Sequence, residues 1–251
     1  MSDKVKELAA MIDHSILHPT MTDADLREGC TLAVHYGTAT VCVKPYAVAL
    51  AAELLSGSDV KVCTVAGFPH GNSATDIKVA ECRRACLDGA AEIDMVVNIG
   101  KVLGGDWDHV AAEIRAVNEE ALSHGAIVKV IFENDYLEDT HKIRLCVICS
   151  EAGVAFVKTS TGYGYVKGAD GRFSTKGATI EDLRLMRLQS APEVQVKAAG
   201  GIRTLDEMLH ALETGVTRVG ATATAAILEE AKKRYGGGPA GAFGGKEVAG
   251  Y

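Results

Sequence analysis

Several features are missing from this chain, and each absence removes a class of function. There is no basic excess: the net charge is −7 at pH 7, which leaves no electrostatic footprint for nucleic acid. No apolar stretch approaches the roughly 20 residues that span a bilayer. The opening Met1-Ser2-Asp3-Lys4-Val5-Lys6-Glu7-Leu8 has no apolar core of the kind a signal peptide needs. A cytoplasmic protein without membrane partners is the expectation. The seven cysteines are odd in number and scattered, so a disulfide framework is not expected. Cys146-Val147-Ile148-Cys149 and the close pair Cys82 and Cys86 fall inside helical patterns without the turn of a zinc knuckle. They read as buried helix cysteines rather than metal ligands. The eight histidines form no HExxH spacing, and no Walker loop or Gly-x-Ser-x-Gly elbow occurs. Gly162-Tyr163-Gly164 lacks the third glycine that a dinucleotide fingerprint requires. Neither a metal nor an organic cofactor is expected.

What is present is an ordinary globular composition, 47% hydrophobic and 24% charged, in a repeating arrangement. Four times a helical stretch ends in a glycine, passes through small residues and enters a β-rich run. The glycines are Gly89, Gly125, Gly153 and Gly215, and glycine just past a helix end is the expected left-handed cap. Thr204-Leu205-Asp206-Glu207 fits a capping box, and Ser73 to Asp76 and Thr179 to Asp182 repeat its spacing with Asp for Glu. Eight strands are predicted, at 11–13, 40–43, 61–65, 93–97, 128–132, 155–158, 194–197 and 218–220, each followed by a helical pattern. Apolar strands joined by helices are parallel strands covered by helices, and eight such units predict a (β/α)8 TIM barrel, α/β class, as a single domain over residues 1–235. An open doubly wound sheet is the alternative topology. Residues 236–251 form a Gly-rich C-terminal tail, expected to be flexible. Residues 163–177 form a polar insert after the sixth strand.

In a barrel, chemistry gathers at the C-terminal strand ends, and two lysines stand there. Lys158 ends the apolar run from Val154 to Val157, and Lys197 ends Val194-Gln195-Val196 before Gly200-Gly201. Either one alone could snorkel to solvent. Two ammonium groups on neighbouring strands would repel and lose hydration, which favours a neutral, nucleophilic amine on one of them. Asp94 sits in the middle of an apolar strand, where a carboxylate needs a cation, so it is either one member of a structural ion pair or the partner of these lysines. Other polar residues at strand ends are Asp13, Cys42, Lys44, Asn98, Glu133, Thr161 and Thr222. Gly200-Gly201 and Gly220-Ala221-Thr222, with Arg203 beside the first, lie where barrels bind phosphate through backbone N–H groups.

At these residues the chain resembles the class I deoxyribose-phosphate aldolases. The matching blocks are Ile12-Asp13-His14 with Leu17, Val41-Cys42-Val43 with Pro45, Gly67-Phe68-Pro69 with Gly71, and Glu92 to Val96 with Asn98-Ile99-Gly100. They continue through Phe156 to Gly162, and Val196-Lys197-Ala198 with Gly200 to Thr204. The resemblance implies a metal-free barrel that reversibly cleaves 2-deoxy-D-ribose 5-phosphate to D-glyceraldehyde 3-phosphate and acetaldehyde through a lysine Schiff base. By position it implies Lys158 as that lysine, Lys197 as the cation that lowers its pKa, and Asp94 as the acid/base acting with water. It also implies substrate or phosphate contacts at Gly162, Gly200, Gly201, Arg203 and Thr222, to which Thr161 and Gly220 are added as neighbours, with Asp13 and Cys42 as accessory groups. Tyr251 resembles the C-terminal tyrosine of some members. This chain departs from the family at Tyr163 and the long loop behind it, at Asn134-Asp135, and at Ala221-Thr222, where serines are usual. These departures bear on the acceptor aldehyde and on how its phosphate is held, with Lys167, Arg172 or Lys176 as candidate cations over the barrel mouth. A related sugar phosphate as substrate, or sugar-phosphate binding without turnover, are the alternative functions. The partners expected are a small phosphorylated sugar and acetaldehyde, and the chain is expected to form a homo-oligomer, a dimer or a tetramer.

Overall fold

The computed structural model describes residues 1–236. Its strands are β1 (Ile12–Ile16), β2 (Thr40–Val43), β3 (Lys61–Ala66), β4 (Glu92–Val96), β5 (Ile127–Ile131), β6 (Phe156–Lys158), β7 (Val166–Lys167), β8 (Phe173–Ser174), β9 (Gln195–Ala199) and β10 (Arg218–Ala221). Eight of them pair in parallel in the order β1-β10-β9-β6-β5-β4-β3-β2 and close into a barrel. The closing ladder joins Ile12 to Val219 and His14 to Ala221. Closure leaves no sheet edge and excludes the open doubly wound alternative. β7 and β8 form a separate antiparallel pair within the 163–177 insert, a hairpin that its polar composition did not predict.

Side chains alternate across each strand, and the alternation sorts apolar from polar. Ile12 and Ile16 of β1, Val41 and Val43 of β2, Ile93 and Met95 of β4, Val128 and Val130 of β5, and Val196 and Ala198 of β9 join one continuous core with the helices. Each fully buried aliphatic side chain there contributes roughly 1.5–3 kcal/mol. The intervening positions face the barrel interior, and they carry Asp13, Thr40, Cys42, Cys63, Glu92, Asp94, Lys129, Lys158 and Lys197, all buried. A barrel interior is ordinarily filled by branched aliphatic residues; here a charged cluster takes their place. This also explains the small errors in strand position. A charge marks a strand end in sequence, but the backbone ladder of β9 runs on past Lys197 to Ala199, and β1 runs past Asp13 to Ile16.

Gly89, Gly125, Gly153 and Gly215 all have positive φ, as their capping role requires. Thr204 and Glu207 form the expected capping box, and Thr22 with Asp25 forms another. The Thr179 hydroxyl accepts from the Asp182 N–H, while the Asp182 carboxylate pairs instead with Lys142 at 2.6 Å. Ser73 is not a cap: the helix Thr75–Leu87 takes Ala74 as its N-cap, which puts the Ser73 hydroxyl one residue too early. Cys82, Cys146 and Cys149 are buried free thiols on helices, and Cys86 is partly exposed. Among the described residues no helix is long and apolar enough to cross a membrane.

Candidate active site

The charged cluster is strung on Asp94. From the middle of β4 its Oδ2 accepts hydrogen bonds from the Nζ of Lys158 on β6 and of Lys197 on β9, each 2.7 Å away, and its Oδ1 accepts from Lys129 on β5 at 2.7 Å. Lys197 also pairs with Asp13 at 2.5 Å, and Lys129 with Glu92 at 2.6 Å. Arg218, at the start of β10, closes the circuit by reaching Asp13 at 2.7 Å and Glu92 at 2.8 Å. The strand register explains the convergence, since Lys158 lies opposite Lys197, Lys197 opposite Arg218, and Asp94 opposite Lys129.

The electrostatics follow from burial set against these partners. Burial alone would raise the Asp94 carboxyl, but Lys129, Lys158 and Lys197 outweigh it and hold the group well below the usual carboxylate range. Asp13 is likewise lowered, with burial outweighed by Lys197, Lys129 and Arg218. Lys197 is pushed above the usual lysine range, because Asp13 and Asp94 overcome a burial penalty that acts the other way. Lys197 is therefore a fixed cation. The expectation that two adjacent ammonium groups simply repel needs amending, because a carboxylate oxygen lies between them. What distinguishes the lysines is unequal compensation: Lys129 and Lys197 each touch two or more carboxylates, whereas the ion pair of Lys158 is with Asp94. The cluster sets four cations, Lys129, Lys158, Lys197 and Arg218, against three carboxylates, Asp13, Glu92 and Asp94.

Above the cluster opens a cavity with ≈ 580 Å³ of empty space, solvent at its mouth included. Lys158, Lys197, Asp13, Cys42, Thr161, Gly162, Gly200, Gly201, Arg203, Gly220 and Thr222 all line it. These are the residues expected from the sequence, with two exceptions: Asp94 lies fully buried beneath the cavity, and Tyr251 falls outside the described residues. Ser15, Leu17, Ala199, Ile202 and Ala221 complete the wall. Gly200 and Gly201 have φ of +87° and +88°, which costs glycine nothing. A Cβ on Gly200 would stand 3.1 Å from the Gly177 Cα. Arg203 and Thr222 immediately precede the N-caps of the helices Leu205–Leu212 and Thr224–Tyr235. Two helix N-termini thus begin at the cavity wall, where the backbone dipole favours an anion.

The rim is held by Glu133, two residues past the end of β5, with φ +60°, the one non-glycine residue of positive φ among those described. Its buried carboxylate accepts from the Thr161 hydroxyl and from the Thr161 N–H at 3.2 Å. Burial pushes the Glu133 carboxyl up, against those hydrogen bonds. The Thr161 hydroxyl in turn accepts from the Tyr163 N–H at 2.9 Å. The Tyr163 ring meets Phe68 edge-on at 5.4 Å, and Phe68 packs on Leu17, Cys42, Cys63 and Val65. Lys167, Arg172 and Lys176 of the insert are not among the residues lining the cavity. The insert instead docks through Asp135, which accepts from the N–H groups of Lys176 and Gly177.

The sequence reading did not pick out Lys129, Glu92 and Arg218. A usable signal existed for Lys129, a charge between Val128 and Val130 of the kind that marked Asp94. Sets that could hold a metal are Cys42, Cys63 and Asp94, or Asp13, Cys63 and Glu92. Their carboxylates are already neutralised by lysine and arginine, so a metal would have to displace an ammonium group.

A family model described as the DeoC/LacD family aldolase matches residues 8–247. The chain is 51% identical to a deoxyribose-phosphate aldolase of Rhodopirellula baltica over 92% of its own length and 91% of the relative's. It is 47% identical to that of Thermococcus gammatolerans over 90% and 97%. Among solved structures, a putative deoxyribose-phosphate aldolase from Coccidioides immitis superposes with a TM-score of 0.84 at 38% identity, covering 91% of this chain and 87% of that one. The tetrameric deoxyribose-phosphate aldolase of Aeropyrum pernix gives 0.81 at 30% identity, over 92% and 93%.

Proposed function

We propose that this chain, which belongs to the DeoC/LacD family of aldolases, reversibly cleaves 2-deoxy-D-ribose 5-phosphate to D-glyceraldehyde 3-phosphate and acetaldehyde. The observation that carries the reading is Asp94 Oδ2, 2.7 Å from both Lys158 and Lys197 beneath an open cavity. Lys158, the least compensated cation of the cluster, is the nucleophile. Its amine adds to the C1 aldehyde and water departs, leaving an iminium. The C3 hydroxyl loses its proton, the C2–C3 bond breaks with its electron pair drawn into the iminium, and glyceraldehyde 3-phosphate leaves an enamine behind. Protonation at C2 and attack by water then release acetaldehyde and restore the amine. Asp94 lies within hydrogen-bond reach of the amine and moves these protons with water, while the fixed cation Lys197 on the same carboxylate oxygen supplies the positive charge beside them. The phosphate is held by the glycine turns and helix N-termini near Gly200, Gly201, Arg203 and Thr222.

Supporting this reading are the names of the relatives at 47–51% identity. Like the Aeropyrum pernix enzyme, the chain is proposed to be a homo-oligomer, a point that light scattering on purified protein decides. Borohydride added with acetaldehyde or deoxyribose 5-phosphate is expected to trap a reduced adduct on Lys158, because an iminium is reduced to a stable amine. Lys158→Ala should abolish both trapping and turnover. An adduct mapped to Lys197 would reverse the two lysine roles, and trapping without cleavage of deoxyribose 5-phosphate would direct the search to a related sugar phosphate.

A further inference from the structure

We propose that Cys42 and Cys63 form a modification site, at which a small hydroperoxide entering the cavity oxidises the two thiols to a disulfide across β2 and β3 and silences the lysine cluster beside it. The two residues are register partners on adjacent parallel strands. Neighbouring strands lie about 4.7–4.9 Å apart, inside the roughly 4.4–6.8 Å that separates the Cα atoms of ordinary disulfides. Both side chains face the barrel interior, and their sulfurs and a carboxylate oxygen of Asp94 all lie within 4.8 Å of one another.

Position divides the labour between them. Cys42 lines the cavity, while Cys63 is fully buried behind it. The Cys42 thiol is pulled below the usual thiol range, first by the Cys63 thiol alongside and then by Lys197 and Lys158, against burial and Asp94. Burial pushes Cys63 up. The thiol that peroxide can reach is thus the one that ionises more readily. In the first step the Cys42 sulfur attacks a peroxide oxygen and the O–O bond breaks. This gives a sulfenic acid, and the departing oxygen takes the thiol proton to leave as water or an alcohol. In the second step the Cys63 sulfur attacks the sulfenic sulfur, the S–O bond breaks, and the hydroxyl leaves as water with the Cys63 proton. Two thiols lose two electrons and two protons, and the hydroperoxide is reduced.

The disulfide reaches the chemistry through Cys63, whose Sγ lies 3.3 Å from Asp94 Oδ1 and 3.3 Å from Lys129 Nζ. An S–S bond of about 2.05 Å draws it toward Cys42 and away from both, disturbing the carboxylate that holds Lys158. The molecule also carries its own controls. Cys82 and Cys86 share the helix Thr75–Leu87, and Cys146 and Cys149 share the helix Asp139–Glu151. Neither pair lines the cavity, so reaction there reports exposure to peroxide without touching the lysine cluster. Cys86, partly exposed and lowered to about 7 by Cys82, is the first of these thiols to report it.

The test treats the full-length protein with tert-butyl hydroperoxide or hydrogen peroxide and alkylates the remaining thiols under denaturing conditions. Peptides are then mapped without reduction. The expected product is a Cys42–Cys63 cross-linked peptide lighter by two hydrogens, with loss of most turnover and its recovery on adding dithiothreitol. In Cys63→Ser, measured against its own untreated rate, the loss should persist in dithiothreitol because Cys42 proceeds to the sulfinic acid. Recovery of both residues as alkylated thiols while Cys86 is oxidised would overturn the proposal. So would a Cys42 sulfinic acid as the main product in the unsubstituted protein, or cross-linking that leaves turnover intact. The activity arm rests on the aldolase reading, whereas the mapped disulfide does not, so failure of one is distinguishable from failure of the other.

Discussion

Replacing Lys129 with methionine removes one cation from the barrel interior with little change of volume, and its consequences follow from the contacts of Nζ. That atom is fully buried, 2.6 Å from Glu92, 2.7 Å from Asp94 and 3.6 Å from Asp13. No water can enter to replace it without reopening the core. Removing one partner of a buried ion pair costs about 3–5 kcal/mol, because the remaining charge is left uncompensated. For a chain of this size about 1 kcal/mol corresponds to roughly 2–4 °C, so Lys129→Met should melt roughly 6–20 °C below the parent. The second effect is on the chemistry. Asp94 keeps Lys158 and Lys197 on Oδ2 but loses the cation on Oδ1. Its hold on the Lys158 amine tightens, and borohydride trapping on Lys158 should slow. Calorimetry and trapping rates measure the two effects on one sample. A variant that melts within about 2 °C of the parent and traps substrate as fast as the parent would refute the reasoning.

Asp94→Asn should slow turnover by roughly 100-fold or more through loss of acid/base catalysis and also lower the melting temperature, since Lys129, Lys158 and Lys197 lose their shared anion; full turnover would remove Asp94 from the mechanism. His14, with Nδ1 2.9 Å from the Thr224 hydroxyl, is lowered to about 4 by burial. Its neutral form therefore contributes stability that is fully present above pH about 6.5 and is lost as pH falls toward 4, about 3 kcal/mol in all. Urea unfolding of His14→Asn should show a flatter dependence over that window, and parallel curves would count against the assignment. Tyr251→Phe is expected to slow proton exchange at acetaldehyde C2 without moving the melting temperature, and unchanged exchange would make the residue an ordinary chain end.

Much of this was legible in sequence because the signals were local. A glycine after a helix, a run of β-branched residues and a charge inside such a run each have a single physical cause, and together they located the strands and picked out Lys158, Lys197 and Asp94. Glu92 and Arg218 escaped because a charge at the start of a strand looks like a solvated end. Only closure of the barrel, which sets β10 beside β1, brings Arg218 onto Asp13. The left-handed turn at Glu133 has no local sign either, since nothing in a glutamate favours positive φ; tertiary contacts through Thr161 hold it there. The fixed charge on Lys197 depends on where Asp13 lies, which its own neighbours in sequence do not encode.

The polar interior of the barrel also limits how the protein can be improved. Buried ion clusters can often be exchanged for well-packed aliphatic residues at no loss, or at a gain, in stability. A screen for heat resistance alone would therefore find an easy route through Asp13, Glu92, Lys129 and Arg218, filling the lumen with leucine and methionine. Such variants would be robust and inert, because the residues being exchanged hold Asp94 and Lys197 in place around Lys158. Stabilising changes compatible with activity have to come from outside the strand ring, in the helices, their caps and the loops between them.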